Sequence, residues 1–492
     1  MEVELCAQPQ ASLADQHAEP HLLRFATDSR DPFVLYSAHL LADFCGMSLV
    51  QSPPGSEGVD LYHGDDRERR CQIRVPMLPS YQLSTIPRVP SECDFIAAKN
   101  LDAPFPFDFF QALQFWLADA ANEGTSNFDI HGRLIASRSA QEALHLREIP
   151  IVNHYLLLMR WWLRVRCNLA TRSFLPDGKR CVLVLSHDVD NPIDPDNVSH
   201  RLWFSAKAAR AHNRRDAFNC LRDGAHAFVR KMGGCNDRFD LFQEILGAED
   251  HYGFRSSFFF SPVTYLEGHR LDVVYDVATP RFRQVMKDLI AGKWEVGLHI
   301  SYNAYRVNTQ IVTERMRLEQ IAGCRVRGSR HHYWHMGNPF WNTLEQHERA
   351  GLVYDSSIAF NDAPGYRLGI AYPFHPWNPL SQRAVTTLQI PTVLMDGSYF
   401  YNPEQTAEDA LARIVTLLNH LKESEGVAAI DWHEHTAFSG AAAYREWGKA
   451  YLLLLGYLAT DRSVAVCSFS QLLELMDRRS SMPYRQPFHQ ES

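Results

Sequence analysis

The 492-residue sequence has no surplus of positive charge: 49 lysines and arginines face 57 aspartates and glutamates, a formal net charge of −8. A surface built to neutralise phosphates carries the opposite balance, so neither nucleic acid nor an anionic membrane is an expected partner. No Cys-x-x-Cys pair occurs among the ten cysteines. That argues against a zinc ribbon and a disulfide framework, and for reduced, structural thiols. Long apolar runs are missing too. The richest stretches, HYLLLMRWWLRV (154–165) and AYLLLLGYLA (450–459), are too short or too interrupted by arginine to span a bilayer. The opening MEVELCAQPQASLADQ has neither a basic start nor an apolar core. No signal peptide is therefore expected, and the expected location is cytoplasmic.

What is present is a chain too long for one ordinary core, so two domains are expected. Residues 1 to about 30 are polar and irregular and are read as a loose tail. From 31 to 175 a smaller mixed α/β domain is expected. Helical spacing runs through PFVLYSAHLLADFCG, FDFFQALQFWLADAANE and PIVNHYLLLMRWWLRVRCNLA, while RCQIRVPML reads as a strand. No reactive constellation is expected there. FLPDGKR (174–180) has the residues of a turn and marks the boundary.

Beyond it short apolar runs recur: CVLVLSHD, RSSFFFSPV, WEVGLHIS, CRVRGSR, LVYDSSIAF, TTLQIPTVLMD, GVAAIDWHEH and SVAVCSF. Amphipathic helices such as TPRFRQVMKDLIAGK and TERMRLEQIAG separate several of them. Strands alternating with helices imply parallel βαβ units. The expected fold is a (β/α) barrel of seven or eight strands over residues 176–478, followed by a tail at 479–492. In such a barrel reactive groups gather at the C-terminal strand ends.

Those ends share a pattern. The first run closes on Asp188 and Asp190, another on His299, another on Arg330, and a fourth on Asp431, His433 and His435. Alternate residues of a strand share a face. If Val182 and Val184 point inward, so do Ser186, Asp188 and Asp190, while His187 faces the helices. Asp431, His433 and His435 share a face, and Trp432 does not. Two carboxylates at the mouth of an apolar strand need compensation. Carboxylates and imidazoles together suit a divalent metal, with Arg330 assisting. The bland alternative is a set of solvated loop residues.

Taken in order, LSHDVD, GFRSSFFF, WEVGLHISYN, GSRHHYWH and AIDWHEHTAF resemble the motifs of the polysaccharide deacetylase group, the NodB-homology or carbohydrate esterase family 4 fold. The resemblance covers roughly residues 176 to 475. FDIHGRLIASRSAQEALHLREIPIV resembles the domain that precedes such deacetylases in a divergent branch. The resemblance implies a hydrolase that removes an N-acetyl group from an amino sugar in a polysaccharide or its precursor. It implies a divalent metal, zinc foremost. By position, Asp188 matches the catalytic base, Asp190 and His299 match metal ligands, and Asn303 stands where a second histidine ligand is usual. Arg330 matches the arginine that steadies the base and His433 the general acid. Asp396 matches the acid that orients His433, with Asp431 a competitor. An amide oxygen is a weaker zinc ligand than imidazole, and His331, His332, His335 or His435 can fill the gap. The HHYWH stretch otherwise reads as a substrate wall, with His331, Tyr333 and Trp334 beside His435, because sugar faces pack on aromatic rings. Two rivals are a carbohydrate-binding barrel without turnover, suggested by Asn303, and a glycoside hydrolase using Asp188 and Asp190.

Overall fold

The structure is a computed structural model that describes residues 22–53, 56–66, 70–77, 107–124, 126–192, 225, 240–400, 405–437 and 444–480. Four short strands come first: β1 (Leu22–Thr27), β2 (Ser48–Gln51), β3 (Val59–His63) and β4 (Cys71–Val75). They form a parallel sheet in the order β2-β1-β3-β4. β1 corrects the expectation of a loose tail for residues 22–27, while residues 1–21 lie outside the described residues. Its Leu23 and Phe25 alternate with exposed Leu22 and Arg24 and are wholly buried, enough to fix a short central strand.

Three helices cover this sheet where apolar spacing placed them, at Pro32–Phe44, Phe109–Leu117 and Ile151–Cys167. The first two have aspartate caps: Asp31 accepts from Phe33 N at 2.9 Å and Asp108 from Phe110 N at 3.0 Å. Their apolar faces share one core with residues of the 336–385 stretch, including Trp341, Tyr372 and Trp377. The N-terminal elements and the second part of the chain are thus packed together, not merely linked.

The second part carries β5 (Cys181–Val189), β6 (Ser257–Phe260), β7 (Glu295–Ile300), β8 (Gly328–His331) and β9 (Tyr354–Asp355). A two-stranded ribbon, β10 (Trp377–Asn378) with β11 (Arg383–Ala384), follows. Then come β12 (Leu388–Gln389), β13 (Thr392–Met395), β14 (Val427–Asp431) and β15 (Val464–Cys467). The sheet order is β12-β9-β8-β7-β6-β5-β14-β13, all parallel, with β15 beside the start of β5. β12 and β13 are successive parts of one segment, 388–395. Its first part pairs with β9 and its second with β14, so the curled sheet's two edges meet there. The result is a (β/α) barrel, and every apolar run singled out in the sequence supplies a strand of it, TTLQIPTVLMD two.

Both faces of these strands are buried, which is why they read as continuous apolar runs. Val182, Val184, Phe259, Val427 and Ala429 face inward with Phe469 and Leu472 of helix Phe469–Ser480. Leu183, Leu185, Ala428, Ile430 and Trp432 face the helix layer. Gly328 on β8 is required by this packing. A Cβ there would lie 1.9 Å from Cζ of Tyr354, whose ring stacks on Phe469 at 4.7 Å.

On the outer face His187 meets a fully buried carboxylate, Glu249 of helix Asp240–His251. Glu249 accepts from Tyr451 Oη at 2.6 Å, Trp294 Nε1 at 2.6 Å and Ser256 Oγ at 2.8 Å, and pairs with His187 Nε2 at 2.9 Å. Burial pushes its pKa up, but His187, Tyr451 and Trp294 outweigh that and hold it below its ordinary 4.5. A depressed carboxylate stabilises the fold above its unfolded pKa and loses that contribution as pH falls through the folded one. Glu249→Gln is expected to cost about 1–3 kcal/mol at pH 7. Urea melts of both proteins should show the gap narrowing below about pH 4.5; a gap constant down to pH 3 would contradict it.

Candidate functional site

The C-terminal ends of five barrel strands bring the candidate groups together. Asp188 sits near the end of β5 and Asp190 just past it. His299 lies on β7, Arg330 on β8, Asp431 at the end of β14, and Asp396 directly after β13. All but the buried Arg330 line a pocket of about 260 Å³, walled by Tyr333, Trp334, Asn361, His435 and Trp447 among others.

Arg330 is the fixed point. It is fully buried, donates to Asp188 Oδ1 at 2.9 Å and Ser186 Oγ at 2.8 Å, and faces Asp431 Oδ1 at 3.2 Å. Its guanidinium lies 4.7 Å from the Phe259 ring centroid and 5.4 Å from that of Trp334, a favourable seat for a desolvated cation. Asp431 Oδ1 also accepts from Asp188 N at 3.1 Å. Burial, with the neighbouring Asp188 carboxylate, raises Asp431 to about 7.

Asp190 and His299 stand differently. His299 Nε2 lies 3.0 Å from Asp190 Oδ1, yet neither buried atom has a partner in hydrogen-bonding geometry. His332 Nε2 lies 3.5 Å from Asp190 Oδ2, and the His299 and His332 rings are 4.8 Å apart. Asp190, His299 and His332 offer one ligand atom each within 4.8 Å of one another. Buried imidazole nitrogens and carboxylate oxygens gathered this closely are the donor set that a divalent cation takes. Asp188, Asp431 and His433 form a second such group, but Arg330 already supplies the positive charge there. Burial pushes Asp190 up, and His332, His299 and His433 outweigh it and hold its carboxyl well below the usual range. For His299, burial pulls downward, and Asp188 and Asp190 carry it the other way, to about 8.

One sequence-based assignment changes and another gains a competitor. Asn303 heads a short 3₁₀ turn at Ala304–Arg306, outside the pocket lining, with its Oδ1 buried and without a hydrogen-bond partner; His332 stands with Asp190 and His299. His331 faces away from the pocket, buried, with Nε2 2.8 Å from Nε2 of His347. Tyr333, Trp334 and His435 do line the pocket.

Asp396, and not Asp431, holds the ring of His433: Oδ1 meets Nδ1 at 2.9 Å, and Oδ2 accepts from His433 N at 3.0 Å. The opposite nitrogen, Nε2, points into the pocket, 3.5 Å from Asp190 Oδ2. Burial works against a charged His433, but Asp396 and Asp431 outweigh it and raise its pKa well above the ordinary value.

Two contributors went unread in the sequence. Glu434, buried, accepts from Asp190 N at 3.1 Å and Asn191 N at 2.9 Å, and so fixes the backbone that carries Asp190. The other is Arg133, in the region expected to hold nothing reactive. Asp129 Oδ2 accepts from its Nε at 2.7 Å, and Arg133 Nη1 donates to Tyr333 O at 3.1 Å and Asn361 Oδ1 at 2.7 Å. Tyr333 and Trp334 have φ of 60° and 54°. Such backbone costs about 1–3 kcal/mol per residue and persists where surroundings enforce it. Arg133 is part of that enforcement, directly after His332.

No family model matches the chain, and no curated protein matches it. Among solved structures it is similar to a Mycobacterium smegmatis protein assigned as a polysaccharide deacetylase, at 16% identity over 65% of this chain and 96% of that one, with a TM-score of 0.38. A 4-alpha-glucanotransferase from Thermococcus litoralis follows at 13% identity, 60% and 40% coverage, and a TM-score of 0.37. A peptidoglycan deacetylase from Bacillus subtilis shows 13% identity, 62% and 96% coverage, and a TM-score of 0.30. Likenesses this distant carry no weight for the chemistry. Among the described residues no helix is long and apolar enough to cross a membrane.

Proposed function

We propose that this protein is a metal-dependent hydrolase that removes an N-acetyl group from an amino sugar in a polysaccharide or its precursor. The observation that carries the reading is the convergence of Asp190, His299 and His332, which offer one ligand atom each within 4.8 Å of one another at the pocket. The ordered motifs of the deacetylase group support it, since they fall on the same strand ends.

Asp190, His299 and His332 would hold the ion, zinc by preference given two imidazoles and one carboxylate. When bound, such an ion polarises a carbonyl and lowers the pKa of water to about 7. The chain's own groups do the rest. Arg330 occupies Asp188 Oδ1 and leaves Oδ2 to accept the proton of the attacking water. His433, protonated at Nε2 and oriented through Nδ1 by Asp396, delivers a proton to the departing amine, which otherwise leaves poorly. Trp334 and Tyr333 give the sugar an apolar wall.

Zinc titration of the chelated protein, followed by calorimetry, tests the ligand set. His332→Ala is expected to weaken zinc more than ~100-fold, beyond what losing an outer partner costs, and Asn303→Ala less than ~10-fold. The opposite ranking would return Asn303 to the ligand set. Acetate release from N-acetylglucosamine oligomers tests the reaction. Tight metal with no acetate would favour a binding barrel, and reducing sugar in its place a glycoside hydrolase.

A further inference from the structure

A larger cavity, of about 830 Å³, lies between the four-stranded sheet and the barrel. We propose that it holds neutral sugar units adjoining the one whose acetamide is cleaved, so that the substrate is an oligomer rather than a free or nucleotide-linked monosaccharide. The proposal rests on the deacetylase reading for what happens in the smaller pocket, and on separate observations for the cavity itself.

Position is the first. The floor of the cavity is His63, at the C-terminal end of β3, whose Nδ1 lies 3.1 Å from Thr27 Oγ1 at the end of β1 and whose Nε2 lies 3.0 Å from Asp108 Oδ2. β1 is followed in sequence by β2 on one side and flanked by β3 on the other. In open parallel sheets ligands settle at such a switch of direction, beyond the strand ends. Trp334 borders both this cavity and the reaction pocket, and it is held there in a left-handed backbone conformation.

Size is the second. The reaction pocket, about 260 Å³, falls just short of the ~300–1,000 Å³ typical of small-molecule sites and suits a single sugar ring. The adjoining cavity offers about three times that space.

Charge selects the ligand class. Arg367 gives both terminal nitrogens to Asp119, at 2.6 and 2.5 Å, and Arg133 is paired with Asp129. Asp31 accepts from Phe33 N and Gln114 Nε2; Asp108 accepts from Phe110 N and Gln111 N and meets His63. Glu123 stands at the exposed rim. Among the described residues the wall cations are thus committed to carboxylates, which leaves a phosphate poorly served. Gln114, with its Nε2 on Asp31 Oδ2 at 3.3 Å, presents its amide beside the rings of Phe110, Phe340 and Trp341, a match for the hydroxyls and apolar faces of a neutral sugar.

Calorimetry on the zinc-loaded full chain tests this with the dimer and hexamer of N-acetylglucosamine and with uridine diphosphate N-acetylglucosamine. The hexamer is expected to bind at least about tenfold tighter than the dimer, and the nucleotide sugar no tighter than the dimer. Gln114→Ala and Ala118→Trp, each checked by its melting temperature, should bring the hexamer-to-dimer ratio towards one. A ratio of one in the parent protein, a ratio unchanged in both folded variants, or preference for the nucleotide sugar would overturn the proposal. Absent acetate release with the ratio and its loss intact would sink the deacetylase reading alone and leave the cavity's assignment standing.

Discussion

Replacing Asp188 by asparagine is expected to lower kcat for acetate release about 10³-fold, some 4 kcal/mol of barrier, within the range of general base contributions. The substitution keeps the shape and leaves an amide oxygen for Arg330, so zinc affinity and melting temperature should move little. His433→Ala tests the other half of the proton traffic. Its effect should depend on the leaving group. On an acetamide, whose amine must be protonated to depart, the loss should exceed ~10²-fold. On an aryl acetate with an acidic phenol the acid is dispensable, and His433→Ala should lose less than ~10-fold while Asp188→Asn still loses most activity. Asp396→Asn should behave as a weaker His433 variant, since it releases the Nδ1 contact of 2.9 Å. Residual activity above a tenth in Asp188→Asn would remove that carboxylate from the role of base, and equal losses on both substrates would remove His433 from that of acid.

The barrel and most of its mouth were legible because buried parallel strands impose simple rules. β5 is an unbroken apolar run because both of its faces are covered, and the period of two then places Asp188 and Asp431 inward, and His187 and Trp432 outward, as the two core layers have them. The same rule contained the signal against His331: it is one residue from inward-facing Arg330, and it lies on the other side. Beyond the strand ends the rule stops. His332 gains its place through a 3₁₀ turn with two left-handed residues after β8, and nothing in the order of letters states those angles. Glu434 follows β14 by three residues, where alternation no longer holds, and only the three-dimensional path brings it to the backbone of Asp190. Arg133 meets Tyr333 across a separation of 200 residues. β1 and β3 were missed for another reason: LLRFAT and VDLYH are short and interrupted by charge, and become strands only as central members of a sheet covered by helices.

Arg330→Met should have the largest effect on the fold itself. Arg330 is fully buried, 2.9 Å from Asp188 Oδ1 and 3.2 Å from Asp431 Oδ1. Methionine fills much of the alkyl volume over Phe259 and Trp334 but leaves two neighbouring carboxylates without their cation. Losing one partner of a buried ionic group costs about 3–5 kcal/mol, because the remaining charge stays desolvated and unpaired. The pH dependence follows from Asp431, already raised to about 7 by burial and Asp188. A carboxylate whose folded pKa lies above its unfolded value loses stability as pH rises between the two, and removing Arg330 moves that folded pKa further up. The penalty in chelated protein should therefore be smaller near pH 5, where Asp431 takes a proton, than near pH 8. Adding Asp431→Asn removes one of the two charges and should recover part of the loss at pH 8 while recovering little at pH 5. Urea denaturation of the two single variants, the double variant and the parent closes the cycle. A coupling energy near zero would mean that Arg330 matters for its packing against the rings alone, and that the two carboxylates are neutralised by something other than this guanidinium.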